Sequence, residues 1–156
     1  MDFGVATSTR GALGNREGYI AVAERAEQLG FGFLSVNDHV VVPRDIASRY
    51  PYSESGEWAG RTAGECLDQL STLAFLAGRT ERLRLLTSVM VVPQRHPVLT
   101  AKMLSTIDVL CNGRLIVGCG VGWLQKEFEA LGAPPILPIR YRGRGKQCRA
   151  ARPRDR

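Results

Sequence analysis

The chain holds two histidines, and one stands in the triplet Asn37-Asp38-His39, where an amide, a carboxylate and an imidazole follow one another directly. An imidazole titrates near neutral pH, so His39 can give or take a proton at a bound ring or substrate. The competing reading is an Asx-type turn, in which Asp38 caps loop backbone and His39 is only solvated. A second group is Gly118, Gly120 and Gly122. Spaced by two in an extended chain, they share one face and leave it bare, either for a flat ring or for close packing of a helix. The spacing is GxGxG rather than GxGxxG, and no ribose-binding acid follows where one is expected, which disfavours a dinucleotide site. Trp123, next in line, either stacks on a ligand or starts the following helix. Thr87-Ser88-Val89 sets two hydroxyls into an apolar run, and buried hydroxyls need partners, which are mostly backbone. His96, before Pro97, reads as a helix-start residue rather than a ligand.

These groups are carried by alternating strands and helices, the pattern of a parallel sheet with crossover helices. Strands are expected at Asp2–Thr7, Gly32–Val36, Leu83–Val92 and Arg114–Cys119. Helices are expected from about Glu17 to Leu29, from about Glu65 to Ala77, from Pro97 to Leu110, and near Leu124–Leu131. Tyr19, Val22, Ala26 and Leu29 form the apolar stripe of the first helix, and Leu99, Met103, Ile107 and Leu110 that of the third. LRLLTSVMVV and RLIVGCG are almost continuously apolar, as parallel strands covered on both faces are. Ligands of such folds lie at the carboxyl ends of the strands, where the triplet, Thr87 to Pro93 and Gly118 to Trp123 all stand. The long connection from Val40 to Gly64 brings Tyr50, Tyr52 and Trp58 to the same end, as a substrate-facing lid or as a simple cover.

With 156 residues, 44% apolar and 23% charged, the chain is globular in composition and too short for a complete eightfold βα barrel, which takes about 250 residues. Its net charge of +6 belongs to the last 21 residues, where seven arginines and one lysine face a single acid. The preceding 135 residues carry 13 basic and 14 acidic side chains, so the body is neutral. An arginine-rich arm without a folded reader would grip phosphates without sequence preference, which argues against nucleic acid as the partner. Cys66, Cys111, Cys119 and Cys148 show neither a CxxC pair nor a zinc-ligand spacing, so reduced thiols in a cytoplasmic protein and no metal are expected. No run of 18 apolar residues and no leader-like start appears, so no membrane association is expected.

Taken together, NDHVVVPRDIASRYPYS, TSVMVVPQRHPVLTAKMLSTIDVLCNGR and GCGVGWLQKEFEALG resemble the bacterial-luciferase-like family of flavin- and deazaflavin-dependent oxidoreductases, whose fold is a TIM barrel. The resemblance covers residues 1–135 and implies the N-terminal half of that barrel, with residues 136–156 a disordered basic tail. It is nearest to the branch that uses coenzyme F420, a hydride carrier, with an FMN-dependent monooxygenase as the alternative. It implies that Asp38 and His39 sit beside the cofactor ring, His39 as the acid–base group. It further implies that Thr87, Ser88 and Val89 form a bulge behind the ring with a non-prolyl cis Ser88–Val89 peptide. Gly120, Val121 and Gly122 would approach the cofactor; beside this, the residues' own placement offers Tyr50, Tyr52, Trp58 and Trp123 to a small-molecule substrate. Some relatives carry a glutamate just after the glycine run; Trp123 stands here instead, so a sugar-dehydrogenase-like acid is not carried over. After Pro135 the sequence departs from the family pattern. The expectation is a gene fragment or an out-of-frame tail, giving a self-associating or catalytically silent product because the outer strands lack their barrel neighbours. Codons 130–160 read in the neighbouring frame should continue as family-like sequence, and a frame with no such continuation removes the frameshift.

Overall fold

The computed structural model describes residues 1–43, 46, 49–58 and 66–134. Four strands, β1 (Gly4–Thr7), β2 (Phe33–Val36), β3 (Arg84–Val91) and β4 (Leu115–Gly120), form one sheet in the order β1-β2-β3-β4. Every pair is parallel. Helices α1 (Arg16–Gln28), α2 (Gln69–Ala77) and α3 (Pro97–Leu110) are the crossovers, a 3-10 turn at Val92–Gln94 follows β3, and a short α4 (Gln125–Ala130) follows β4. The expected alternation is present, and the long basic tail lies outside the described residues.

Local chemistry sets the helix limits. Asn15 caps α1 by accepting the Gly18 N–H through its side chain. At the other end Gly30, at φ +76°, closes a Schellman motif in which the Phe31 N–H reaches the Ala26 carbonyl and the Gly30 N–H reaches that of Glu27. The second helix starts later than its apolar pattern suggests: the Asp68 side chain accepts the Ser71 N–H, so Cys66 and Leu67 remain in the loop. His96 is the N-cap of α3, with Pro97 at its first position.

The core lies between the sheet and the helices. Leu34, Val36 and Leu85 pack there with Tyr19, Ala23 and Ala26 of α1 and Leu70, Leu73 and Leu76 of α2. Two parts of the expected stripes are not buried: Leu29 of the first helix and Leu99 and Leu110 of the third are each more than half exposed. Ile107 is buried as expected, and in the first helix Ala23, outside the expected stripe, is buried too. The exposed leucines have no further βα unit over them among the described residues, and Ile116 and Val117 of β4 are open as well.

The ends of the strands opposite the candidate site are tied by polar side chains. Glu27 accepts the backbone N–H groups of Glu81, Arg82 and Leu83 with one carboxylate oxygen. Burial pushes its pKa up, but these donors outweigh it and hold the carboxyl below its ordinary range. The Arg114 guanidinium donates to the carbonyls of Ala77, Thr80, Leu83 and Cys111 and to the Thr80 hydroxyl, fastening the end of α2 to the entry of β3. Arg114→Met removes five donors at once and leaves partly buried carbonyls unpaired. It should lower unfolding free energy by about 3 kcal/mol, measured by urea titration.

Candidate active site

The three residues after β2 each reach a different neighbouring loop. The Asn37 side-chain Oδ1 accepts the Thr9 N–H at 2.6 Å, holding the loop after β1. Asp38 turns the other way, to β3. Its Oδ2 accepts the Val91 N–H at 2.7 Å, and both oxygens receive the Arg95 guanidinium at 2.5 and 2.7 Å. The side chain is 0% exposed, so the charge is fully desolvated and depends on this bidentate partner. His39 reaches to α4, where its Nδ1 lies 3.0 Å from Glu127 Oε2.

Glu127 organises this corner. Its second oxygen accepts the Val40 and Val41 N–H groups at 2.7 and 3.2 Å, so one carboxylate holds both the imidazole and the backbone that follows it. With only 2% of the side chain exposed, burial by itself would raise its pKa. The hydrogen bond and charge of His39, with the Val40 N–H, outweigh burial and hold the carboxyl below the usual carboxylate value. An ionised carboxylate can only accept, so the proton between the two groups sits on His39 Nδ1 and Nε2 is the nitrogen left for a ligand. From behind, the Cys66 thiol donates to the His39 carbonyl oxygen at 3.2 Å. Burial raises the Cys66 pKa, which keeps the thiol protonated for that role.

His39 lies against a cavity of about 400 Å³ at the carboxyl ends of β2, β3 and β4, also lined by Asn37, Asp38, Ser88, Val89, Val91, Cys119, Gly120, Val121, Gly122 and Glu127. Tyr50, Tyr52, Trp58 and Trp123 complete the lining, so the aromatics of the long connection and the one after the glycine run all arrive at one place. The Trp58 ring is 4.7 Å from the imidazole and 5.7 Å from Trp123; Tyr50 is 5.0 Å from Trp123. The Arg10 guanidinium stands 5.4 Å over Trp58 as a cation–π partner. Val89 and Val121, 45% and 52% exposed, give the cavity a bare apolar rim. A flat, partly apolar ring can cover such surface, and the imidazole supplies a polar contact, so the residues present fit a flavin-type group.

Close packing, the second reading of the glycine run, is present at all three positions. A Cβ on Gly118 would lie 2.4 Å from the Thr87 carbonyl oxygen, and one on Gly120 2.4 Å from Val89 Cγ2. Gly122, at φ +81°, would meet Phe128 and Val91 below 3 Å. Close packing inside the protein is therefore what demands glycine at all three positions, although Gly120 and Gly122 also line the cavity.

Thr87 does not line the cavity. It is fully buried, and its hydroxyl donates to the Gly118 carbonyl and accepts the Gly118 N–H, both at 2.9 Å. Beyond it the β3–β4 register shifts between Thr87 and Met90, the Ser88–Val89 peptide is cis, and Val89 stands at the cavity wall. Asp38 borders the cavity, but both its oxygens are engaged by Arg95 and Val91, so it acts as a brace and not as a free carboxylate. Neither Arg95 nor Glu127 is marked by local pattern. Each lies inside a motif that carries the family resemblance, and only their long-range partners show what they do. Among the described residues no group of three or more His, Cys, Asp or Glu could hold a metal, and no helix is long and apolar enough to cross a membrane.

A parallel βα array with its cavity at the carboxyl ends of the strands defines a barrel-type α/β protein. The model of the family described as luciferase-like monooxygenase matches residues 1–143, and the chain belongs to that family. An uncharacterised Mycobacterium tuberculosis protein is 31% identical over 115 residues, which cover 74% of this chain and 41% of that protein. An F420-dependent glucose-6-phosphate dehydrogenase of Intrasporangium calvum is 36% identical over 113 residues, covering 70% of this chain and 29% of the relative. The crystal structure of the monooxygenase RslO1 from Streptomyces bottropensis superposes with a TM-score of 0.62 at 29% identity, over 85% of this chain and 36% of that one. The chain thus spans about two-fifths or less of the length of these relatives.

Because the Glu127 pKa is depressed in the folded chain, the unfolded state binds more protons in acid. The stabilisation is whole above the ordinary carboxylate value of 4.5 and drains away as pH falls through the lower folded value. Glu127→Gln should cost about 2 kcal/mol at neutral pH and flatten the acid limb of stability, measured by urea titration between pH 3 and 7.

Proposed function

We propose that this chain forms the cofactor-ring side of an oxidoreductase that moves a hydride between coenzyme F420 and a small organic substrate, with His39 handling the proton. The observation that carries the reading is the His39–Glu127 pair at the wall of an aromatic-lined cavity. The likeness to the Intrasporangium F420-dependent dehydrogenase supports F420. In this reading Asp38, His39, Ser88, Val89, Gly120, Val121 and Gly122 surround the ring, with Asp38 bracing the loop. Tyr50, Tyr52, Trp58 and Trp123 hold the substrate by apolar and stacking contacts.

When bound, the deazaflavin supplies two-electron hydride chemistry. The chain supplies the acid–base work: Nε2 of neutral His39 accepts a proton from a substrate hydroxyl, or the imidazolium returns one to a carbonyl oxygen in the reverse direction. Glu127, fixed at Nδ1, stabilises the imidazolium and keeps the ring in the tautomer that offers Nε2. The aromatic lining limits water at the reacting oxygen. The second reading is an FMN-dependent monooxygenase, of which the 29% identity to RslO1 favours the monooxygenase part.

Titration with F420 should change its fluorescence, and an excess of FMN should leave that change intact; saturable FMN binding with no response to F420 supports the monooxygenase instead. His39→Gln should retain F420 binding and slow substrate-dependent hydride transfer by a factor of about 100 or more. Unchanged transfer removes His39 from the chemistry.

A further inference from the structure

Two indole rings flank the imidazole at the cavity wall. Trp58 stands 4.7 Å from His39 with its plane tilted by 42°, and Trp123 stands 6.3 Å away, edge-on at 89°. The two indoles are 5.7 Å apart and cross at 76°, so their planes form a corner beside the imidazole. Tyr50 closes it, 5.0 Å from Trp123 and 6.5 Å from Trp58. Rings at such distances and angles hold one another by edge-to-face contact, so the corner has a shape of its own. It is anchored from two loops. After β1, Asn37 Oδ1 holds the Thr9 N–H, and the next residue, Arg10, is buried and stands 5.4 Å over the Trp58 ring. After β4, Trp123 follows Gly122, whose φ is +81°.

We propose that this corner selects the substrate of the His39 reaction, an uncharged alcohol or its ketone carried on a cyclic hydrocarbon, with Trp123 the specificity-determining residue. The inference rests on the preceding reading, in which His39 exchanges a proton with the substrate oxygen. In the oxidation the carbinol C–H bond breaks with both electrons leaving as hydride to the deazaflavin, the hydroxyl proton goes to His39, and the C=O bond forms. An oxygen placed at Nε2 brings the body of the molecule against Trp58 and Trp123, whatever borders the cavity elsewhere. A preformed ring meets two crossed planes at once, whereas a flexible chain loses rotamer freedom in doing so. The carboxylates at the cavity, Asp38 and Glu127, spend their oxygens on Arg95, His39 and the N–H groups of Val40, Val41 and Val91. Neither is left to receive the hydroxyls of a sugar or an ammonium group. An anion beside these two carboxylates is disfavoured, and a cation over Trp58 meets the Arg10 guanidinium already there.

Both tryptophans of the chain stand in this corner, so tryptophan emission reports on the corner alone. The test titrates the 156-residue chain, with and without F420, against cyclohexanol, cyclohexanecarboxylate, cyclohexylamine and glucose. Cyclohexanol should change the emission saturably and bind about tenfold or more tightly than each of the other three. Trp123→Ala, with Trp58 as the remaining reporter, should weaken cyclohexanol binding about tenfold, and Trp123→Tyr should restore most of it. The wild-type series decides if the alanine variant fails to fold. An F420 response together with equal affinities, with tightest binding of the carboxylate, the amine or glucose, or with cyclohexanol binding indifferent to Trp123→Ala overturns the substrate class and leaves the cofactor reading standing. Selective cyclohexanol binding without a response to F420 supports the ligand class and overturns the cofactor reading. A flat series without an F420 response overturns both.

Discussion

A carboxylate buried among apolar groups must be met by donors from several directions, and Glu127 is met by three: an imidazole and two successive backbone N–H groups. Because those donors belong to the segment after β2 while Glu127 belongs to α4, the pairing fixes the distance between two loops that no secondary structure joins. Asp38 repeats the device toward β3 with Arg95, and Asn37 toward β1 with Thr9. Three adjacent residues thus set the positions of the loops after three other strands. The cavity exists because these distances are held, and His39 presents one particular nitrogen because the other is occupied.

The opposite wall depends on the absence of side chains. Gly118 and Gly120 let β4 approach the irregular stretch of β3, where Thr87 spends its hydroxyl on Gly118 and Val89 takes the room beside Gly120. Gly122 admits the Phe128 ring, which seats α4. That seating carries Glu127 to His39, so the glycine run serves the acid–base pair from a distance. Membership of the luciferase-like monooxygenase family agrees with a cavity of this shape, placed where parallel βα folds keep their ligands.

Several apolar residues at the two ends of the array stand open among the described residues. Residues that satisfy the helical period, such as Leu29 and Leu110, remain in water because the helix that would cover each one is missing among the described residues. Amphipathic spacing specifies a face; whether the face is buried depends on what stands opposite.

Signals that act within a few residues were readable from the chain alone. The capping of α3 by His96, the glycine after α1, the alternation of strand and helix, and the arrival of Asn37-Asp38-His39 at a strand's carboxyl end are all local or periodic, so composition and spacing determine them. The tertiary structure decided the partners. His39 and Glu127 are 88 residues apart, and Asp38 and Arg95 are 57. The use of the glycines as room for neighbours likewise depended on which atoms the fold brought opposite them. Spacing along a chain measures what lies within one element, whereas a buried charge or a missing Cβ takes its meaning from the element packed against it, and that is known only once the chain is folded.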